Sequence, residues 1–137
     1  MLDFGANIPF VHELGFSLRH MQGGTSELHY EARPEHLNSY GVTHGGATMT
    51  LLDVALATAA RSDTPDQGVV TVEMKASFMH PARGPLVAKG RRLHRTRSLA
   101  FAEGAIYDAE GRMCSHATGT FKYVPKAARE GASVPTD

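Results

Sequence analysis

The 137-residue chain has no tryptophan, one cysteine and no apolar run near the roughly 20 residues that cross a bilayer as a helix. A lone cysteine, Cys114, excludes an internal disulfide. The opening "MLDFGANIPF" lacks the basic start and long apolar stretch of a secretory signal. These absences lead to the expectation of a cytoplasmic protein with no membrane partner. An excess of one charge is missing too: Lys plus Arg and Asp plus Glu each total 14, so no overall field draws the chain to nucleic acid. Any anion site must be local. Eight histidines show no HExxH, close HxH or Cys/His ligand spacing, so no metal is expected. There is no GxxxxGKS loop and no dinucleotide fingerprint, so no cofactor is expected either.

What is present fits one domain, residues 1–124, followed by a small, polar stretch over 125–137 that reads as a disordered tail. In "GVVTVEMKASFMHP", Val70, Val72, Met74, Ala76 and Phe78 alternate with Thr71, Glu73, Lys75 and Ser77, the pattern of a half-buried strand. Three more strands follow in "PLVAKGRRLHR", "SLAFAEGAIYD" and "RMCSHATGTFKYV", and their short connections predict antiparallel neighbours. Upstream, "GFSLRHM" and "TSELHYEA" flank Gly23 and Gly24 as a hairpin would. Residues 47–60 hold no proline, no glycine and one charge, which predicts a helix of about four turns. Apolar on nearly every face, it must be surrounded, and a curled sheet of five or six strands would do that.

The one charge in that helix is Asp53, too deep to be an N-cap. Burying an unpaired carboxylate costs several kcal/mol. Asp53 either marks a solvent edge or ion pair, or serves as a general base or nucleophile in a cleft. Just before the helix stands "THGG", where unpaired backbone N–H groups meet the positive end of the dipole. Gly45 and Gly46 would let a ligand oxygen approach those amides as in an oxyanion hole, or they merely shape a tight turn that His44 caps. Asn38 offers one more donor. His44 and Asp53 are nine positions apart, roughly 13 Å of rise and about 180° of rotation in a helix. One small site within one chain cannot hold both, so if both are catalytic the carboxylate belongs to a second subunit.

The pattern N-x5-HGG-x7-D-x-A, filled by Asn38, His44, Gly45, Gly46, Asp53 and Ala55, resembles the signature of hotdog-fold acyl-CoA thioesterases of the phenylacetate-pathway type. The likeness extends from about residue 10 to 124 and includes "VVTVEMKASFMHPA" and "RTRSLAF". It implies an α+β hotdog fold, a long antiparallel sheet wrapped around one central helix. It further implies that the Gly45 amide polarises a thioester carbonyl, that Asn38 holds the same oxygen or positions water, and that His44 lies near the sulfur. Asp53 of a partner chain would be general base or nucleophile, supported by a hydroxyl at Thr71 on the polar side of its strand. The substrate would carry coenzyme A itself, in a homodimer or a dimer of dimers.

Arg83, Arg95, Arg97 and Ser98 offer phosphate ligands for the nucleotide end, or a solvated basic hairpin. Met49, Phe78 and Met79 could line an apolar acyl pocket, with aryl or medium-chain groups favoured by the resemblance. Cys114 reads as a small buried residue rather than a nucleophile. The rival to an enzyme is a hotdog domain that binds an acyl ligand without hydrolysing it. A dehydratase is disfavoured, since its Asp/His motif is not evident.

Overall fold

The computed structural model describes residues 1–126; most of the expected tail lies outside the described residues. Six strands form one antiparallel sheet in the order β1-β2-β4-β5-β6-β3. They are β1 (Ser17–Gln22), β2 (Thr25–Glu31), β3 (Gln67–Phe78), β4 (Pro85–Arg95), β5 (Leu99–Tyr107) and β6 (Met113–Pro125). Pro125, assigned to the tail from sequence, therefore ends a strand. The central helix α2 spans Gly45–Ala60 and starts two residues earlier than expected, taking in both glycines. A six-residue helix α1 (Pro9–Leu14) and a 3-10 turn at Pro34–His36 complete the fold. No helix among the described residues is long and apolar enough to cross a membrane.

The β1–β2 hairpin turns at Gly23 and Gly24, whose φ values of 60° and 82° match the paired positive φ of a two-residue hairpin turn. Leu51, Leu52 and Leu56 of α2 are fully buried against Leu18, Leu28, Leu86, Ile106 and Phe121. The helix sits so close to the sheet that a Cβ on Gly90 would lie 2.2 Å from the Ala55 carbonyl oxygen. The Ser26 hydroxyl donates to that same oxygen at 2.6 Å. At the far end of α2, Tyr123 and Arg92 donate to the Ala60 carbonyl at 2.6 and 3.3 Å, closing one of its free carbonyls.

Two expectations are corrected. The strands joined by the short 79–84 connection are not neighbours: β3 pairs with β6 on the edge of the sheet, and β5 and β6 separate it from β4. The connection instead crosses the end of the sheet, held where Met79 and His80 N–H donate to the Cys114 carbonyl and Thr43 N–H donates to that of Ala82. The second correction concerns the face of β3. The register slips between Thr71 and Glu73, leaving Val72 as an extra residue that is 55% exposed. This bulge shifts the alternation by one. Val69, Met74 and Ala76 pack toward the core, and Thr71, opposite buried Phe121, is on the helix-facing side of the strand while remaining exposed.

The helix is not surrounded on all sides. Met49 and Thr50, then Asp53 three or four positions on and Ala57 four beyond that, form a stripe the sheet leaves partly open.

Candidate functional site

The head of α2 opens into a cleft of about 310 Å³. Asn38, Gly45 and Thr48 form one wall, and the crossing segment with Phe78, Met79 and His80 forms the other. Each polar group on the first wall is held in place. The Asn38 side-chain oxygen accepts from Tyr40 and Val42 N–H at 2.8 and 3.2 Å, which fixes the amide and leaves its NH2 to donate elsewhere. His44 caps the helix: its Nδ1 accepts from Gly46 N–H at 2.8 Å, so the neutral ring carries its proton on Nε2. A Cβ on Gly46 would meet that ring nitrogen at 3.0 Å. The Gly45 N–H, at the first helical position, makes no hydrogen bond among the described residues, and nothing within 4 Å would meet a Cβ there. The cleft thus presents two fixed, unused donors, the Gly45 amide and the Asn38 side chain, beside the positive end of a helix. That arrangement can stabilise an oxygen that gains negative charge.

Asp53 lies two turns further along α2 and does not line this cleft. Its Oδ1 accepts from the Thr71 hydroxyl at 2.7 Å, and its Oδ2 has no partner among the described residues. Burial pushes the carboxyl above its ordinary range, and the hydrogen bond from Thr71 partly opposes that. A base with a raised pKa and one free oxygen on the open stripe of a helix can accept a proton from water, but only from a molecule brought to that stripe.

The basic residues are divided. Arg95 stacks on Tyr123, its guanidinium 4.0 Å from the ring centre, and Tyr123 binds the last carbonyl of α2. The turn with Arg97 and Ser98 therefore sits at the C-terminal end of the helix, roughly 22 Å of helical rise from Gly45. Within one chain it does not meet the cleft. Arg83 is exposed in the 79–84 connection, next to Ala82 of the cleft wall.

Four polar residues of the cleft give no signal in the sequence. His80, Thr43 and Ser115 carry no motif, and Thr48 reads as ordinary helix. Cys114 is buried, and burial raises its thiol, which fits its reading as a packing residue. Among the described residues no group of three His, Cys, Asp or Glu side chains could hold a metal ion.

Comparison with known proteins agrees with the fold. The family model described as the thioesterase superfamily matches residues 40–115, more than half of the chain. A protein of Saccharolobus solfataricus, provisionally named an esterase, is 26% identical over 109 residues, covering 79% of this chain and 73% of its own. A thioesterase family protein from Silicibacter pomeroyi superposes with a TM-score of 0.81 at 26% identity, over 87% of this chain and 91% of that one. A variant of the phenylacetic acid degradation protein PaaI from Thermus thermophilus superposes with a TM-score of 0.76, also at 26% identity, over 84% and 98%. The architecture is the hotdog fold.

Proposed function

Because the chain belongs to the thioesterase superfamily, whose chemistry is thioester hydrolysis, we propose that it cleaves an acyl-CoA to the free acid and coenzyme A, at sites shared by two subunits. The observation that carries this reading is the separation of two half-sites on one helix. Oxyanion donors lie at its head, and the Thr71-held carboxylate of Asp53 lies two turns away on the uncovered stripe. A second copy packed against that stripe and against the exposed edge strand β3 would bring its cleft to this carboxylate. Val72 at 55% exposed and Phe78 at 53% exposed supply apolar area for such contact.

In this mechanism the thioester carbonyl oxygen receives hydrogen bonds from Gly45 N–H and the Asn38 amide, which strengthen as it becomes an oxyanion. The partner's carboxylate at this position, through its free Oδ2, takes a proton from water or attacks the carbonyl carbon itself. His44 Nε2–H faces the departing sulfur. Arg83, and from the far end of the helix Arg95, Arg97 and Ser98, are the proposed phosphate ligands of coenzyme A; across a dimer the second group can approach the partner's cleft. No cofactor, nucleic acid or membrane takes part, and the setting is cytoplasmic. The acyl group is of the aryl or medium-chain kind, a preference that rests on likeness to PaaI.

Thiol release measured against a panel of acyl-CoAs tests the reading. Turnover that Asp53→Asn abolishes is the expected result. Tight binding of acyl-CoA with no thiol release from any of them would instead make the chain an acyl-ligand binding domain.

A further inference from the structure

The two oxyanion donors hang on one loop. Residues 36–44 leave the 3-10 turn, carry Asn38, and return to the head of α2 one residue before Gly45. Backbone hydrogen bonds close this loop on itself. Leu37 and Thr43 pair in an antiparallel bridge, Asn38 N–H donates to the Val42 carbonyl at 2.8 Å, and His44 N–H donates to the His36 carbonyl at 2.9 Å. His36 and His44 are therefore the neck, and a shift of His36 moves Asn38 and the start of the helix together.

His36 is anchored through its ring. Its Nδ1 meets the Tyr30 hydroxyl at 2.7 Å and the Arg33 N–H at 3.3 Å. A backbone N–H can only donate, so Nδ1 is an acceptor, the Tyr30 O–H donates to it, and the neutral ring holds its proton on Nε2. Tyr30 is itself fixed: it is 4% exposed near the end of β2 and meets buried Phe16 edge-on, ring centres 4.9 Å apart. Burial pushes its phenol above the ordinary range, so it stays a donor. Among the described residues this is the only side-chain hydrogen bond between residues 36–44 and the sheet. Neither ring lines the cleft, so neither touches what binds there.

We propose that Tyr30 and His36 are positioning residues of the site: the hydrogen bond from the Tyr30 hydroxyl to His36 Nδ1 aims the Asn38 side chain and the Gly45 amide at the oxygen they stabilise. The proposal rests on the reading that these two donors serve a thioester carbonyl. A misplacement of about 1 Å at a reacting centre can cost on the order of 100-fold in rate, so an anchor outside the cleft can govern turnover.

The test uses Tyr30→Phe, which removes one hydroxyl, and the pair His36→Leu and His36→Asn. Leu and Asn are close in shape and both lose the ring, but the Asn side-chain oxygen stands near the place of Nδ1 and can accept. The substrate is whichever of phenylacetyl-CoA, butanoyl-CoA and octanoyl-CoA the wild type hydrolyses fastest. Tyr30→Phe and His36→Leu should each lower kcat about tenfold and leave KM within about twofold, the split expected when an interaction made in the transition state is weakened. His36→Asn should recover most of what His36→Leu loses. The double variant should be no slower than His36→Leu alone, since both substitutions cut one bond. Deuterium exchange at the His44 amide should be roughly tenfold faster in Tyr30→Phe and in His36→Leu, while the amides of β5 and β6 keep their rates. An unchanged kcat in folded Tyr30→Phe overturns the proposal and leaves the hydrolase reading intact. Equal losses in the Asn and Leu variants also overturn it, because they would make His36 a packing residue only. If the wild type releases thiol from none of the three, the hydrolase reading fails instead, and the His44 amide decides: faster exchange in Tyr30→Phe keeps the bond as the anchor of the loop, and an unchanged rate removes it.

Discussion

The Thr71 hydroxyl donates a 2.7 Å hydrogen bond to Oδ1 of Asp53, joining the edge strand β3 to the middle of the central helix. The contact exists because of the bulge at Val72, which turns Thr71 toward α2. It occupies one carboxylate oxygen and fixes the direction of the other. It also sets the acidity of the group: burial raises the Asp53 pKa, and Thr71 restrains the rise by stabilising the charged form.

Removing that restraint should be visible in a pH profile. Thr71→Val deletes the donor but keeps the shape, so the Asp53 pKa should climb further, and the acid limb of kcat/KM against pH should move to higher pH. The remaining activity at its optimum should fall by about tenfold, since the carboxylate also loses its orientation. An acid limb unmoved in the variant would dissociate Asp53 from the group that titrates.

Asp53→Asn should lower kcat by roughly 100-fold or more, the scale expected for a positioned base or nucleophile. The same substitution should not cost stability. A carboxyl whose pKa is raised by folding is harder to ionise in the folded chain than in the unfolded one, so its charge destabilises the fold at pH above the raised value. The Asn variant should therefore melt at a higher temperature than the wild type at pH 7. The gap should close as pH falls through the raised pKa toward the ordinary carboxylate range. A variant that melts lower at pH 7 would mean that the charged group is paired by something the fold requires.

The isolated charge of Asp53 and the "HGG" before the helix were legible because each breaks a local pattern; in the structure His44 caps the helix that the glycines begin, and Asp53 lies on its partly open stripe. The hairpin at Gly23 and Gly24 was legible for the same reason, since only positive φ explains the pair. Thr71 was assigned to the wrong face. The bulged residue is valine, and apolar Val72 fits the alternation of Val70 and Met74 so well that no residue type betrays the shift. The order of strands was hidden because six residues over 79–84 suit a hairpin as well as a crossing. Helix α1 is too short, at six residues, to show a period.

Gly45 offers a substitution that separates the amide proton from the fold. Proline is well tolerated at the first helical position, where its missing N–H bonds no carbonyl of the helix. His44, with φ −59° and ψ 138°, already has the extended backbone that a following proline demands. Gly45→Pro should therefore fold, and it should lose roughly 100-fold to 1,000-fold in kcat, the range seen when one oxyanion donor is removed. Gly45→Ala keeps the N–H, its Cβ would meet nothing within 4 Å, and it should retain most activity. Equal activity in the two folded variants would show that this amide contacts no reacting atom.

The shared site makes the sharpest demand. Asn38 and Gly45 line the cleft, and Asp53, eight positions beyond Gly45 on the same continuous helix, does not. If each cleft works with the carboxylate of a second subunit, two inactive variants, Asn38→Ala and Asp53→Asn, should complement each other. A heterodimer of the two carries one site with both lesions and one with neither. Random pairing of equal amounts makes about half of the dimers heterodimeric, each with one intact site of two, so about a quarter of wild-type activity should return. Subunits must exchange, so co-expression, or unfolding and refolding of the mixture, is the right preparation, with mass spectrometry to count heterodimers. Asn38→Ala must be inactive alone, and its loop must stay folded, since its Oδ1 also accepts from Tyr40 and Val42 N–H. Asn38→Asp keeps that acceptor and removes the donor, so it serves as the second partner where alanine disrupts the turn. Heterodimers present in the expected amount and devoid of activity would mean that cleft and carboxylate do not meet across subunits, and the two half-sites of α2 would then need a different explanation.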